Sequence, residues 1–320
     1  MNLQVTSCKL QVGCPKLSAA KLQPATCNLQ PAPRAAFSLV EVLVVVSLLA
    51  LIVLALMDVF SSTQRAFRAS VTQSDVLEGS RAAMELITSD LRGMTPSGGV
   101  YGGDVNFFSI SNGYANLNYT PLAQDLPGGS IKRTNLLNFF FILGRENTRW
   151  IGTGYVVDTT NSNPLYPLYR YHGELNISQS PRILFTNFIG QITSGQWTNM
   201  SHIMDGVVHL VVRPFDLNGV WMTNGYDLRT MTPPAFSYFD APFGHEMNFY
   251  FFGNAVPASV ELQLGVVEDR ALSRAESLPD NVPAAPPNDR RSLYLAGQSG
   301  AVHIFRQQVN IQNVDRSAYQ

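Results

Sequence analysis

Cysteine is missing from residue 28 onward; the three that exist, Cys8, Cys14 and Cys27, all lie ahead of that point. This excludes a disulfide framework or a cysteine-ligated metal for the body of the protein. An oxidising compartment stays open, because a chain of this size can build a core without disulfides. Charge is scarce as well. Only 14% of the 320 residues are charged against 45% hydrophobic, and the formal net charge is −1. Disorder is excluded by that balance, and so is a nucleic-acid binder, which needs a basic excess.

Catalytic patterns are absent too. The five histidines, His172, His202, His209, His245 and His303, include no pair at the i, i+4 spacing of a helical metal site. There is no Gly-x-Ser-x-Gly elbow, and Gly102-Gly103 and Gly128-Gly129 lack the Lys-Ser/Thr continuation of a phosphate loop, so they read as turns. His209 sits in an apolar run and reads as a core or edge residue. Asp216 and Asn218, with Asp227 beyond Trp221, offer oxygen ligands for a cation, but Asn218-Gly219 explains the same stretch as a hairpin turn, which is the preferred reading. The expectation is a non-enzyme with no catalytic residue, no metal and no cofactor.

What the chain does have is one long apolar run. From Phe37 to Met57 only Ser38, Glu41 and Ser47 interrupt it. Twenty-one helical residues span about 31 Å, the thickness of a bilayer core. Glu41 stands out, because a carboxylate in the centre of a membrane helix costs roughly 2.5–3.5 kcal/mol on insertion scales. Residues 1–36 hold Lys9, Lys16, Lys21 and Arg34 and no acid. Without those four, 18 basic residues face 23 acidic ones, a balance of −5. A basic leader before an apolar run favours a cytoplasmic N-terminus and export of the residues beyond the run. Within the leader, Leu-Gln-Val and Leu-Gln-Pro recur as decayed copies of one short unit, too short to bury a core, so it reads as a tolerated N-terminal extension.

The pattern turns amphipathic after Asp58 with no Pro break. Phe60, Phe67 and Val71 fall on one stripe, and Leu77, Met84, Ile87, Leu91 and Met94 continue one at helical spacing. Pro96-Ser97-Gly98-Gly99 then stops the helix. One helix is predicted over residues 37–93, with 37–57 in lipid and 58–93 a stalk packed on a globular head. Residues 94–320 are read as that head. Short apolar, aromatic and β-branched runs predict strands at 105–110, 136–143, 151–157, 165–171, 207–214, 247–252, 259–267 and 301–309. Residues 136–143 and 207–212 are continuous enough to be buried on both faces. The aromatic runs 139–141 and 249–252 read as core. Residues 279–289, with four prolines, read as a mobile loop. The fold class is therefore α+β: a long N-terminal transmembrane and stalk helix packed on an antiparallel β-sheet head.

The segment Ala36-Phe37-Ser38-Leu39-Val40-Glu41-Val42-Leu43 resembles the prepilin signature of type IV pilins and type II secretion pseudopilins. The resemblance implies cleavage between Ala36 and Phe37 by prepilin peptidase, N-methylation of Phe37, and Glu41 as the glutamate at mature position five. Arg34 supplies the basic residue upstream of the cut. Ala36 departs from the family, which has glycine there. Looser likeness to the J-type minor pseudopilins of type II secretion runs through residues 81–92, Asp205-Gly206-Val207-Val208-His209-Leu210, the Asp216…Gly219-x-Trp221 turn, and Pro257-Ala258-Ser259-Val260-Glu261-Leu262. The chain is also similar to pilin-like cassette proteins of Verrucomicrobia. The resemblance implies a pilin-like fold and a single-pass protein of the inner membrane, its head in the periplasm. Such a subunit joins a filament or its tip through helix contacts with other pilin-like subunits, and binds no nucleic acid. In that setting Glu41 faces the new amine of another subunit, which offsets part of the charge's cost and sets axial register. A minor pilin of a type IV pilus and a membrane-anchored periplasmic binding protein are the alternatives. A plain signal anchor explains the apolar run but not Glu41.

Overall fold

The computed structural model describes residues 38–98, 104–111, 121–128, 131–159, 164–222, 249–279 and 290–315. The leader with Arg34, Ala36 and Phe37, residues 280–289 of the proline-rich stretch, Asp227, Gly102-Gly103 and Gly129 lie outside them. The chain divides into two compact units, Met1–Ser61 and Ser62–Gln320. Helix α1, Leu39–Arg92, begins in the first and ends in the second.

The second unit is built on antiparallel strands. Strands β1 (Val105–Ser111), β4 (Asn138–Glu146), β5 (Arg149–Val157), β6 (Leu168–Asn176), β7 (Ser201–Met204) and β9 (Phe249–Phe252) form one sheet in the order β7-β6-β5-β4-β1-β9. Strands β8 (Val207–Phe215), β10 (Ser259–Val267) and β11 (Val302–Asn310) form a second, ordered β11-β10-β8. A hairpin of β2 (Leu122–Asp125) and β3 (Lys132–Asn135) completes the set. The two larger sheets meet at a parallel bridge between Leu137 and Leu210, where the Leu210 N–H donates to the Leu136 carbonyl at 2.9 Å.

Residues 139–143 of strand β4 show why a run is apolar without a break. Phe140 and Ile142 enter the core that also holds Ile87 and Leu91 of α1, while Phe139, Phe141 and Leu143 enter the opposite core. A two-residue period with both faces covered leaves no polar position. Residues 207–212 of β8 are likewise buried throughout. The aromatic runs 139–141 and 249–252 are core, as expected.

Within the second unit α1 buries Val76, Ser80, Ala83, Met84, Ile87, Thr88 and Leu91, and Met94 follows just past its end. These are the i, i+3, i+4, i+7 positions of one face. Two details differ from the predicted stripe. Val76, not the half-buried Leu77, is the first packed residue among the side chains described, Val71 lies outside them, and Phe60 and Phe67 are exposed. A shift of one residue turns a helix by about 100°, so periodicity alone cannot separate neighbours.

Among the described residues the head also holds three α-helices that the strand pattern does not predict: α2 (Arg182–Ser194), α3 (Asp269–Glu276) and α4 (Arg290–Ala296). Leu184, Phe188 and Ile192 of α2, spaced four apart, pack on the far face of the six-stranded sheet. Glycines make room for them. A Cβ on Gly152 would lie 2.8 Å from the Leu184 Cβ, and one on Gly154 would collide with the Phe188 ring. Helix α3 and Leu295 of α4 cover Val208, Val267 and Val302 at one end of the three-stranded sheet. The strand expected at 165–171 starts at Leu168 and runs on to Asn176, because Tyr166 takes a positive φ of 53° and the chain bends before it.

Candidate functional site

Among the described residues, the stretch Leu39–Phe67 is long and apolar enough to cross a membrane, with a mean hydropathy of 3.1 in its best window and 0% of that window buried. Length and composition carry that statement, and a signal sequence meets the same test. Two of its serines make no polar gap. The Ser47 hydroxyl donates to the Val44 carbonyl at 2.8 Å, and the Ser61 hydroxyl donates to the Asp58 carbonyl at 2.9 Å. Back-bonding to the preceding turn satisfies each hydroxyl within its own helix.

Glu41 has a local partner that its membrane cost alone does not suggest. The Ser38 N–H donates to Glu41 Oε2 at 2.9 Å, and the Ser38 hydroxyl donates to the same oxygen at 3.2 Å. In return the Glu41 N–H donates to Ser38 Oγ at 3.3 Å. This reciprocal pattern is a capping box, in which two otherwise unpaired donors at a helix start are satisfied together. A carboxylate in the first turn also lies at the favourable end of the helix dipole. The signal is legible as Ser38-Leu39-Val40-Glu41 before an apolar run.

Near the other end of α1, Asp90 receives Arg170 of β6 in a two-pronged contact, Nε at 2.9 Å and Nη2 at 3.0 Å, while the Tyr155 hydroxyl of β5 donates to the same carboxylate. All three groups are mostly shielded, and burial, then the Asp90 carboxylate, pushes the Tyr155 phenol far up. Thr88 adds a hydroxyl contact to Gln307 of β11 at 3.3 Å. In the sequence Asp90 is only a polar position between apolar ones; its partners lie 65 and 80 residues away, beyond the reach of local pattern.

The described histidines and Asp216 have structural partners. His209 is buried, accepts the Leu136 N–H at Nδ1 (3.1 Å) and lies 3.3 Å from Gln263 Oε1 through Nε2. The first contact places the ring proton on Nε2. Burial pushes its pKa from the ordinary 6.5 to about 4. Asp216 takes the N–H groups of Asn218 and Val220 at 2.9 and 2.7 Å, Gly219 has a φ of 75°, and Phe215 bridges Trp221. This is the turn expected from Asn218-Gly219, with the Asp216 carboxylate closing it. His202, His172 and His303 each lie beside an acid, Asp205, Glu174 and Glu268. Among the described residues no three His, Cys, Asp or Glu side chains gather as a metal ion requires.

The site is thus a membrane-compatible helical stretch whose first acid, Glu41, is held at its start, joined in sequence to a segment clamped by Asp90. No protein-family model, no curated protein and no solved structure matches the chain.

Proposed function

We propose that this chain is a prepilin-type structural subunit, of the minor pseudopilin kind found in type II secretion systems. In this reading prepilin peptidase cuts between Ala36 and Phe37 and methylates the new amine of Phe37. The inner membrane holds the apolar helix, and the β-rich head lies in the periplasm. The subunit then enters a pseudopilus or its tip through helix-to-helix contacts with other pilin-like subunits.

The observation that carries the reading is the placement of Glu41. It is the first charge of the Leu39–Phe67 stretch, whose large apolar residues are exposed in the described fold, and it stands five residues after Ala36, the small residue at the proposed cut. A helix apolar all round calls for lipid or other helices as its surroundings. In an assembled filament the amine of one subunit replaces Ser38 as the acid's partner, and pairing fixes axial register.

A second reading, a plain signal anchor carrying a head, is favoured by the Ser38–Glu41 capping box, which gives Glu41 a role without a partner subunit. One comparison separates the two. Glutamine also completes a capping box but carries no charge. If assembly needs the charge, Glu41→Gln and Glu41→Val both insert into the membrane and both fail to join filaments. If Glu41 only caps, Glu41→Gln behaves as the wild type. Mass spectrometry of the mature N-terminus supplies an independent arm: a methylated Phe37 supports the reading, and an intact unmethylated leader overturns it.

A further inference from the structure

Exposed sheet edges are templates for another strand, and proteins blunt them by making them short, bulged or covered. In this head, β7 and β9 end the six-stranded sheet with four residues each, and β9 meets β1 across a register shift. Strand β8 is tied to the six-stranded sheet through the Leu137–Leu210 bridge. Strand β11 has none of these devices. It pairs with β10 over nine residues in unbroken register, and its other side has no strand beside it among the described residues.

The parity of that edge is set by its ends. Ile311 donates its N–H to the Ala258 carbonyl, and Glu268 donates to the Ala301 carbonyl. Odd-numbered residues of β11 therefore bond to β10, and the peptide groups of Ile304, Arg306 and Gln308 point away from the sheet. Among the described residues nothing bonds to them. Arg306 is 65% exposed, and it shares one carboxylate oxygen of Glu261 (3.2 Å) with Arg213 (3.7 Å). Two guanidinium groups on one acid leave a positive charge at the edge. A second copy pairing edge to edge in the registers that mate these groups would set the two Arg306 side chains opposite or diagonal to each other, which repels.

We propose that β11 is a docking edge for an extended strand of a partner protein that carries a carboxylate facing Arg306. Main-chain bonds to residues 304, 306 and 308 supply the pairing, and the acid supplies register. On the opposite face the partner strand presents an apolar side chain beside Phe305, which packs against the core. This docking edge belongs to the head alone and is present whether or not the N-terminal helix is processed.

The test uses the full chain in detergent micelles and a soluble nine-residue peptide of alternating threonine and valine with a central glutamate. Hydrogen exchange of the segment covering residues 302–310 and fluorescence anisotropy of the labelled peptide are the readouts. The expected result is saturable binding with slowed exchange at 304, 306 and 308, weakened about tenfold or more when the peptide's glutamate is lysine. Gln308→Pro removes an outward N–H, together with the Gln308 side-chain bond to Ser259 Oγ, and should abolish binding. Should that variant misfold, Arg306→Gln keeps the backbone and should erase the preference for glutamate over lysine. No binding at millimolar peptide overturns the proposal. So does slow exchange that rises with protein concentration, the mark of a second copy, or slow exchange at every concentration without peptide, the mark of an edge covered by the chain itself.

Discussion

Two stretches of α1 use the same residue types and meet opposite fates. Leu43 at 62% exposure and Leu54 at 64% belong to a run apolar on every side, whereas Ile87 and Leu91 are fully buried among residues of two sheets. Both stretches are helical, so helix propensity does not separate them. What separates them is the width of the apolar surface. Around Ile87 the helix alternates Met84, Leu91 and Ala83 with Glu85, Ser89 and Asp90, and a single face needs a single partner. Around Leu43 there is no polar side to face water, so a core on one face cannot satisfy the segment.

The sharpest way to break that comparison is to make the same deletion in both stretches. Leu91→Ala should lower the head's stability by about 4 kcal/mol, the range for a large cavity in a packed core. Leu43→Ala should leave it unchanged. Thermal unfolding of the head, followed by near-UV circular dichroism, reads both, and equal effects would mean the apolar run is core after all.

Acid is the next largest lever and acts on the head alone. His209 has a folded pKa near 4 because of burial, against an ordinary 6.5. The unfolded chain therefore takes the proton first. Stability from neutral His209 is fully present above pH 6.5 and is lost as pH falls toward 4, by about 3 kcal/mol at the low end. Protonation of Nδ1 also removes the acceptor for the Leu136 N–H, beside the bridge that joins the sheets. His209→Gln should flatten this part of the pH profile in urea unfolding.

The Asp90 clamp comes third. Asp90→Ala leaves Arg170 and the Tyr155 hydroxyl without their shared acceptor, and about 2 kcal/mol should be lost. Asp90→Asn keeps the shape and should recover part of it. The smallest effect is at the helix start. Ser38→Ala removes the reciprocal cap of Glu41 and should cost about 1 kcal/mol of local helix stability. Faster amide exchange in the first turn would report it, with no change in head unfolding.

Much of the fold is legible in the residues. The end of α1 at Arg92 and the strand Ser259–Val267 are both readable, the first from Pro96 and two glycines, the second from valines and leucines alternating with Glu261, Gln263 and Gly265. The turn at Asp216 is readable from Asn218-Gly219. The head helices are not. Arg290–Ala296 is only seven residues long, and in α2 the spacing of Leu184, Phe188 and Ile192 is masked by β-favouring neighbours such as Ile183, Phe185 and Ile189. The capping role of Glu41 is also present in the string, as a serine three residues before the acid, but the membrane cost of the charge is the more conspicuous signal.

By itself, then, the sequence determined where a helix can lie in lipid, where it must stop, and which strands are covered on both faces. Those depend on the local order of apolar and polar residues, and such order is written along the chain. Only the tertiary structure decided that Asp90 meets Arg170 and Tyr155, that His209 sits where two sheets join, and that β11 has no strand on its outer side among the described residues. Each of these depends on which distant segments become neighbours, and no period in the sequence encodes a partner 65 or 80 residues away.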